Sequence, residues 1–137
     1  MREEPRRQFL VLAEVSEGIA LPSADTKYTV KIRIADKELK TGKPKKRSGG
    51  YCSWNQRFDE QVWEAPYRSL EEVGSVFVYL MDGDTPVCFH RAPASDFEGP
   101  EPPLRWVPLT NDQSIGKVDD EYQAGLLSFK ITIHDLA

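Results

Sequence analysis

Cysteine and histidine are scarce in this chain: Cys52, Cys88, His90 and His134 are all there is among 137 residues. Two thiols are too few for a disulfide framework, and with so few histidines their spacing does not make a zinc site. No apolar run approaches the ~20 residues that a membrane-crossing helix needs. The stretch from Met1 to Arg7 lacks the apolar core of a secretory signal, so the expectation is a cytoplasmic chain or a module of a longer one. Also missing are a glycine-rich phosphate loop, a Gly-X-Ser-X-Gly elbow and a metalloprotease helix motif. Neither histidine is flanked by a serine or cysteine signature. The expectation is therefore no enzyme and no catalytic residue, with both histidines on solvent-facing strand positions. A net charge of −4 argues against a nucleic-acid partner.

The length fits one domain that buries about two-thirds of its unfolded surface. Residues 1–7 are read as a flexible N-terminal segment and 8–137 as the folded unit. The dominant pattern is short strands separated by turn residues. Strands are expected at 9–15, 28–34, 39–47, 54–63, 76–81, 87–91, 104–109 and 126–133. The clearest is 28–34, where Tyr28, Val30, Ile32 and Ile34 alternate with Thr29, Lys31 and Arg33, the period-two signature of a half-buried strand. Gly42 and Pro44 mark 39–47 as an edge or bulged strand. Residues 66–72 suit one helical turn, and Asp82-Gly83 suits a hairpin turn. Trp54, Phe58, Phe77, Tyr79, Trp106 and Phe129 are read as core or half-core anchors. The fold class is all-β: an eight-stranded antiparallel β-sandwich of Greek-key type.

Charge is unevenly spread. Lys37, Lys40, Lys43, Lys45, Lys46 and Arg47 place six basic residues within eleven positions. Such a run either attracts an anionic surface, each cation near an anionic leaflet contributing about 1 kcal/mol, or keeps an edge strand from pairing with other chains.

The order of Tyr28-Thr29-Val30-Lys31, the basic run, Ser53-Trp54-Asn55-Gln56-Arg57-Phe58 and Leu80-Met81-Asp82-Gly83-Asp84 resembles a C2 domain over roughly residues 8–135. Val76 to Phe97 followed by Leu104-Arg105-Trp106-Val107-Pro108-Leu109 is similar to ferlin-type C2 sequences. The resemblance implies that loops 16–27, 48–53 and 82–86 share one end of the sandwich. There the family's aspartates bind Ca²⁺, a hard cation that takes six to eight oxygen ligands. This chain departs from that pattern. It offers Asp25, Asp82 and Asp84, with Glu17 more distant, and Thr26 stands where the family shows a second aspartate. The implied site is weak, with a Kd of ~10⁻⁴–10⁻³ M, or vestigial. The implied partner is an anionic membrane surface, bearing phosphoinositide or phosphatidylserine and met by Lys37, Lys40, Lys43, Lys45, Lys46 and Arg47. The alternative is a Ca²⁺-independent module that holds protein partners or neighbouring domains of a larger chain.

Overall fold

The computed structural model of the chain describes residues 7–22, 26–65, 70–98, 105–111 and 123–136. Its core follows from alternation. In β1 (Arg7–Ile19) the inward positions are Phe9, Val11, Ala13 and Val15, all buried, and in β10 (Gln123–Asp135) they are Leu127, Phe129, Ile131 and Ile133. These two strands pair antiparallel with Val11 opposite Ile133 and Ala13 opposite Ile131. Facing them, β2 (Thr29–Ile34) and β7 (Ser75–Asp82) pair Val30 with Leu80, Ile32 with Val78 and Ile34 with Val76. The six are almost fully buried. At about 25 cal/mol per Å² of apolar surface removed from water, such pairs dominate the stability of the sandwich.

Ten strands are described where eight were expected. The remaining six are β3 (Lys37–Lys40), β4 (Lys46–Ser48), β5 (Tyr51–Arg57), β6 (Gln61–Ala65), β8 (Thr85–Pro93) and β9 (Arg105–Asn111). The hydrogen-bonded path runs β3-β2-β7-β8-β9-β10-β1-β5-β4, with β6 beside β1. It folds over on itself into two layers, β3-β2-β7-β8 and β9-β10-β1-β5-β4. Among the described residues they are stitched on one side by two residue pairs, Cys88 with Asn111 and Phe89 with Thr110. On the other side the terminal strands β3 and β4 leave the layers open.

The two extra strands come from two splits. The expected strand 39–47 divides into β3 and β4, which belong to different layers. The expected strand 54–63 breaks at Phe58–Glu60 into β5 and β6. The helical turn is α1 (Leu70–Val73); residues 66–69 of the expected turn lie outside the described residues. A 3₁₀ turn, Ala94–Phe97, follows β8.

One irregularity fixes how the layers meet. Val15 pairs with Gln56 and Glu17 with Ser53, so Ser16 faces both Trp54 and Asn55 across a bulge. Asn55 takes φ +42, a left-handed conformation that asparagine tolerates better than most residues. Its amide donates to Ser53 Oγ at 3.0 Å. The bulge resets the alternation, which is why Cys52, Ser53 and Trp54 are buried in succession. It drives the Trp54 indole into the interlayer space, 1% exposed, where Nε1–H donates to the Tyr28 carbonyl at 3.0 Å.

Trp54→Phe should leave that buried carbonyl without its donor and a smaller ring in the same space. The expected loss is about 2–4 kcal/mol, read as a lower urea midpoint. A second outcome concerns the thiols. Cys88 is fully buried on β8, and burial pushes its pKa from 9.0 up to about 12; burial also raises Cys52. The folded state thus keeps the Cys88 proton where the unfolded chain releases it. The stability this contributes is intact below the unfolded pKa and declines as pH climbs toward the folded value. Between about pH 9 and pH 11 the urea midpoint should fall more steeply for the native chain than for Cys88→Ala.

Candidate functional site

The β1 C-terminus, the β2 N-terminus, the β4–β5 turn and the β7–β8 turn all lie at one end. Thr29 pairs with Met81 at the end of β7, and Gly18 pairs with Cys52 at the start of β5. Gly49 and Gly50 turn the chain from β4 into β5, and Gly50 (φ +84) accepts a hydrogen bond on its carbonyl from Leu21 N–H at 3.0 Å. A Cβ at Gly50 would stand 3.2 Å from the Leu21 carbonyl oxygen. Beside it, Gly125 (φ +115) passes so close to β1 that a Cβ would meet the Ile19 carbonyl oxygen at 2.8 Å. Both rim positions therefore require glycine.

At this rim, Asp82 and Asp84 flank Gly83 (φ +58) and are exposed; Asp25 lies outside the described residues. Glu17 is not a spare carboxylate: its Oε2 accepts the Tyr51 hydroxyl at 2.7 Å. Tyr51, within the expected loop 48–53, instead begins β5 and is half-buried. Among the described residues no three or more His, Cys, Asp or Glu side chains come together as metal ligands.

The basic run forms a strap across the open side of the sandwich. Lys37 and Lys40 lie on β3, Lys46 and Arg47 on β4, and Lys43 and Lys45 between them. Thr41 ties the strap to β2 through two bonds: its N–H to the Val30 carbonyl at 2.9 Å and its Oγ1 from Val30 N–H at 2.8 Å. Gly42 N–H then donates to Gln56 Oε1 at 3.0 Å, and Lys45 N–H to the Ser53 carbonyl at 2.7 Å, so the chain has crossed from one layer to the other. Lys45 Nζ reaches the Asn55 carbonyl at 3.4 Å. All six basic residues are exposed.

Next to the strap lies a feature that the aromatic residues were not expected to form. Phe77, Tyr79 and Phe89 are not core anchors. They stand on the outer face of β7 and β8, half-buried. Phe77 and Tyr79 stack at 5.7 Å with an interplanar angle of 7°, and Phe89 tilts against both, at 6.5 and 6.3 Å. Register extends this into two cross-strand rows: Lys40, Lys31, Tyr79, Phe89, and Glu38, Arg33, Phe77, Arg91. Lys31 Nζ sits 5.3 Å from the Tyr79 ring centre and Arg91 Cζ 5.9 Å from that of Phe77, cation–π distances. Lys31 also approaches Glu38 Oε1 at 3.9 Å. The signal was in β7 itself: Val76, Val78 and Leu80 hold one parity, so Phe77 and Tyr79 must take the other.

Other sequence expectations move as well. Trp106 is 47% exposed, on the outward parity of β9. His90 is paired with buried Val78 and so points inward rather than to solvent. Trp54 and Phe129 are buried, and Phe58 packs against the core.

Compared with known proteins, no family model matches the chain, and no curated protein does. Solved structures do. The chain is similar to the calcium-bound tandem C2 domains of extended synaptotagmin 2, with TM-score 0.65, 12% identity, and coverage of 96% of this chain and 44% of that one. It thus spans less than half the length of that structure. It is also similar to a single C2 domain of a plant extended synaptotagmin 1, with TM-score 0.58, 13% identity, and coverage of 93% and 95%. Against PLC21 of L. pealei the TM-score is 0.63 at 14% identity, covering 96% of this chain and 16% of that one. The fold is the C2 β-sandwich. At these identities the likeness carries the architecture, and it agrees with the motif order in the sequence. No helix among the described residues is long and apolar enough to cross a membrane.

The rim contact gives a direct test. The Glu17 carboxylate holds the Tyr51 phenol protonated and raises its pKa above 10.0. Glu17→Ala should lower the Tyr51 midpoint toward 10.0, followed by the ring resonances through an alkaline titration.

Proposed function

We propose that this C2 module docks on anionic membrane, placing lipid phosphates against Lys37, Lys40, Lys43, Lys45, Lys46 and Arg47. One observation carries the reading. In a chain of net charge −4, six exposed cations occupy the strap that spans the open side of the sandwich. They adjoin an outer face where Lys31, Arg33 and Arg91 flank three aromatic rings. At about 1 kcal/mol per basic residue near an anionic leaflet, the strap alone supplies several kcal/mol, screened by salt. The aromatic trio adds amphipathic surface suited to the headgroup level.

Calcium is not needed for this docking. Asp82 and Asp84, with Asp25, would make a shallow site of few carboxylates, so Ca²⁺ binds with a Kd of ~10⁻⁴–10⁻³ M and adds little at lower concentrations. The module is non-enzymatic, peripheral to the cytoplasmic leaflet, and belongs to a ferlin-like or other membrane-trafficking chain. The similarity to the extended synaptotagmin structures supports this reading through the shared fold.

A second reading, a scaffolding module, is favoured by exposed apolar residues on the opposite face. Trp106 is 47% and Ile19 37% exposed, and they lie in neighbouring cross-strand rows, Glu17–Ser128–Trp106 and Ile19–Leu126–Pro108.

Sedimentation with vesicles separates the two. The chain should pellet with vesicles containing phosphatidylserine and phosphoinositide, stay in solution with neutral vesicles, and behave alike in Ca²⁺ and EGTA. Lys43, Lys45 and Lys46→Ala together should weaken binding by up to about 100-fold. Equal pelleting with neutral vesicles, or unchanged binding by the triple variant, would overturn membrane docking and leave scaffolding.

A further inference from the structure

Two backbone bonds set the direction of the hydrogen-bonding groups along β1. Leu136 N–H donates to the Gln8 carbonyl at 2.9 Å, and Phe58 N–H to the Ala13 carbonyl at 3.0 Å. Over this stretch the even-numbered residues of β1 therefore address β10, and the odd-numbered ones address the other side. There Arg7, Phe9 and Val11 pair with Ala65, Trp63 and Gln61 of β6. The N–H and C=O groups of Val62 and Glu64 are left pointing away from β1, ~7 Å apart along the strand. Among the described residues β6 pairs with β1 alone. We propose that this edge takes up an extended, basic peptide segment of a partner protein as an added antiparallel strand.

Sheet edges normally carry protection against added strands, lysine above all. The other two terminal strands have it: Lys37 and Lys40 on β3, Lys46 and Arg47 on β4. β6 contains no lysine, arginine or proline. Its Val62 is 57% exposed, the most exposed large apolar side chain among the described residues. A shallow crevice of about 30 Å³ adjoins the same strand. Phe9 and Ile133 lie in its floor, and half-buried Trp63 and Val73 flank them. A strand added to β6 sets one side chain beside Trp63, over this crevice, and its neighbours beside Val62 and Glu64. Main-chain bonds then supply affinity and the alternate side chains supply selectivity. Charge chooses the occupant. Asp59, Glu60, Val62 and Glu64 are all exposed, so the edge pairs one apolar position with three acids. Lys37 is the one basic residue lining the crevice, against Asp36 and Glu64. A second copy of the chain fits badly, because a two-fold pairing of β6 with itself crowds the Glu60 and Glu64 carboxylates of both copies onto one seam. A segment with lysines opposite Glu60 and Glu64 and apolar residues opposite Val62 and Trp63 meets the backbone, the crevice and the charge together. This surface is separate in chemistry from the membrane-docking strap, and the two proposals stand or fall separately.

Amide NMR with a synthetic hexapeptide tests it. The probe is acetyl-Thr-Lys-Val-Val-Thr-Lys-amide, whose second, third, fourth and sixth residues fall opposite Glu64, Trp63, Val62 and Glu60 in an antiparallel pairing. It should produce saturable shifts centred on Gln61, Val62, Trp63 and Glu64. The same peptide N-methylated at its second and fourth residues keeps its charge but loses the donors that face β6, and should produce none. A version with glutamate in place of both lysines should bind at least about tenfold more weakly. Val62→Pro removes an N–H that points away from β1 and spares the ladder to β1, so it should weaken the native peptide roughly tenfold. Lys43, Lys45 and Lys46→Ala should not weaken the peptide, which separates this result from the vesicle experiment. The proposal is overturned by the absence of saturable shifts, by shifts centred elsewhere, by equal binding of the N-methylated or the glutamate peptide, by native affinity in a folded Val62→Pro, or by self-association of the free chain through the same residues.

Discussion

The sandwich depends on one polar contact in an apolar place, the Trp54 indole donating to the Tyr28 carbonyl. Tyr28 leads into β2 and Trp54 belongs to β5, so this bond joins the two layers directly. A backbone carbonyl buried where β2 begins needs a donor, because a lost partner costs the full desolvation of the group. Supplying that donor from the other layer fixes both the separation of the sheets and their offset. The bulge at Ser16 and the left-handed Asn55 are what allow the indole to enter. The rim follows from the same offset, since Leu21 meets Gly50 and Gly125 passes under Ile19 only when β1, β5 and β10 are held in this stagger.

The outer face of β2, β7 and β8 follows from the inner one. Once Val76, Val78 and Leu80 are committed to the core, period two sends Phe77 and Tyr79 outward. Three rings on a sheet surface are tolerable there because they stack on one another and lie under the charged groups of Lys31 and Arg91. Aromatic and cationic character thus come together in the same rows. A layer that faces water on one side has been given a surface that is neither plainly apolar nor plainly charged.

Much of this was legible in the sequence, and the failures share a cause. The strand 28–34 and the turn at Asp82-Gly83 could be read from local pattern, since alternation and turn chemistry act over a few residues. The order of motifs gave away the C2 sandwich. What could not be read depended on partners far along the chain. The bonds of Thr41 to Val30 and of Gly42 to Gln56 decide that 39–47 is shared between β3 and β4 in different layers rather than running as one strand, and nothing local announces them. The parity change at Asn55 required knowing that Ser16 lay opposite. Residue type alone makes Trp106 a core or half-core anchor, but Val107 and Leu109 claim the inward role and leave it exposed. His90 went the other way, because a polar residue on an inward parity is unexpected until the layers are seen to part beside it. Of the rim carboxylates, Glu17 could be named from its loop, but its engagement by Tyr51 spans 34 positions.

The strap also bears on the two explanations for its lysines, edge protection and docking. A regular edge strand protects itself with one or two charges and still alternates. Here Lys45, Lys46 and Arg47 are consecutive and all exposed, which an alternating strand packed against a core would not allow. The strap is instead held through Thr41 to the Val30 backbone, through Gly42 N–H to the Gln56 side chain and through Lys45 N–H to the Ser53 carbonyl, which frees successive side chains from choosing a face. Edge protection would be met by far fewer cations than six, and their mutual repulsion is a cost that protection alone does not explain. Under the proposed docking an approaching anionic surface would relieve that repulsion, so the same cluster that is an electrostatic liability for the isolated chain would supply the favourable term.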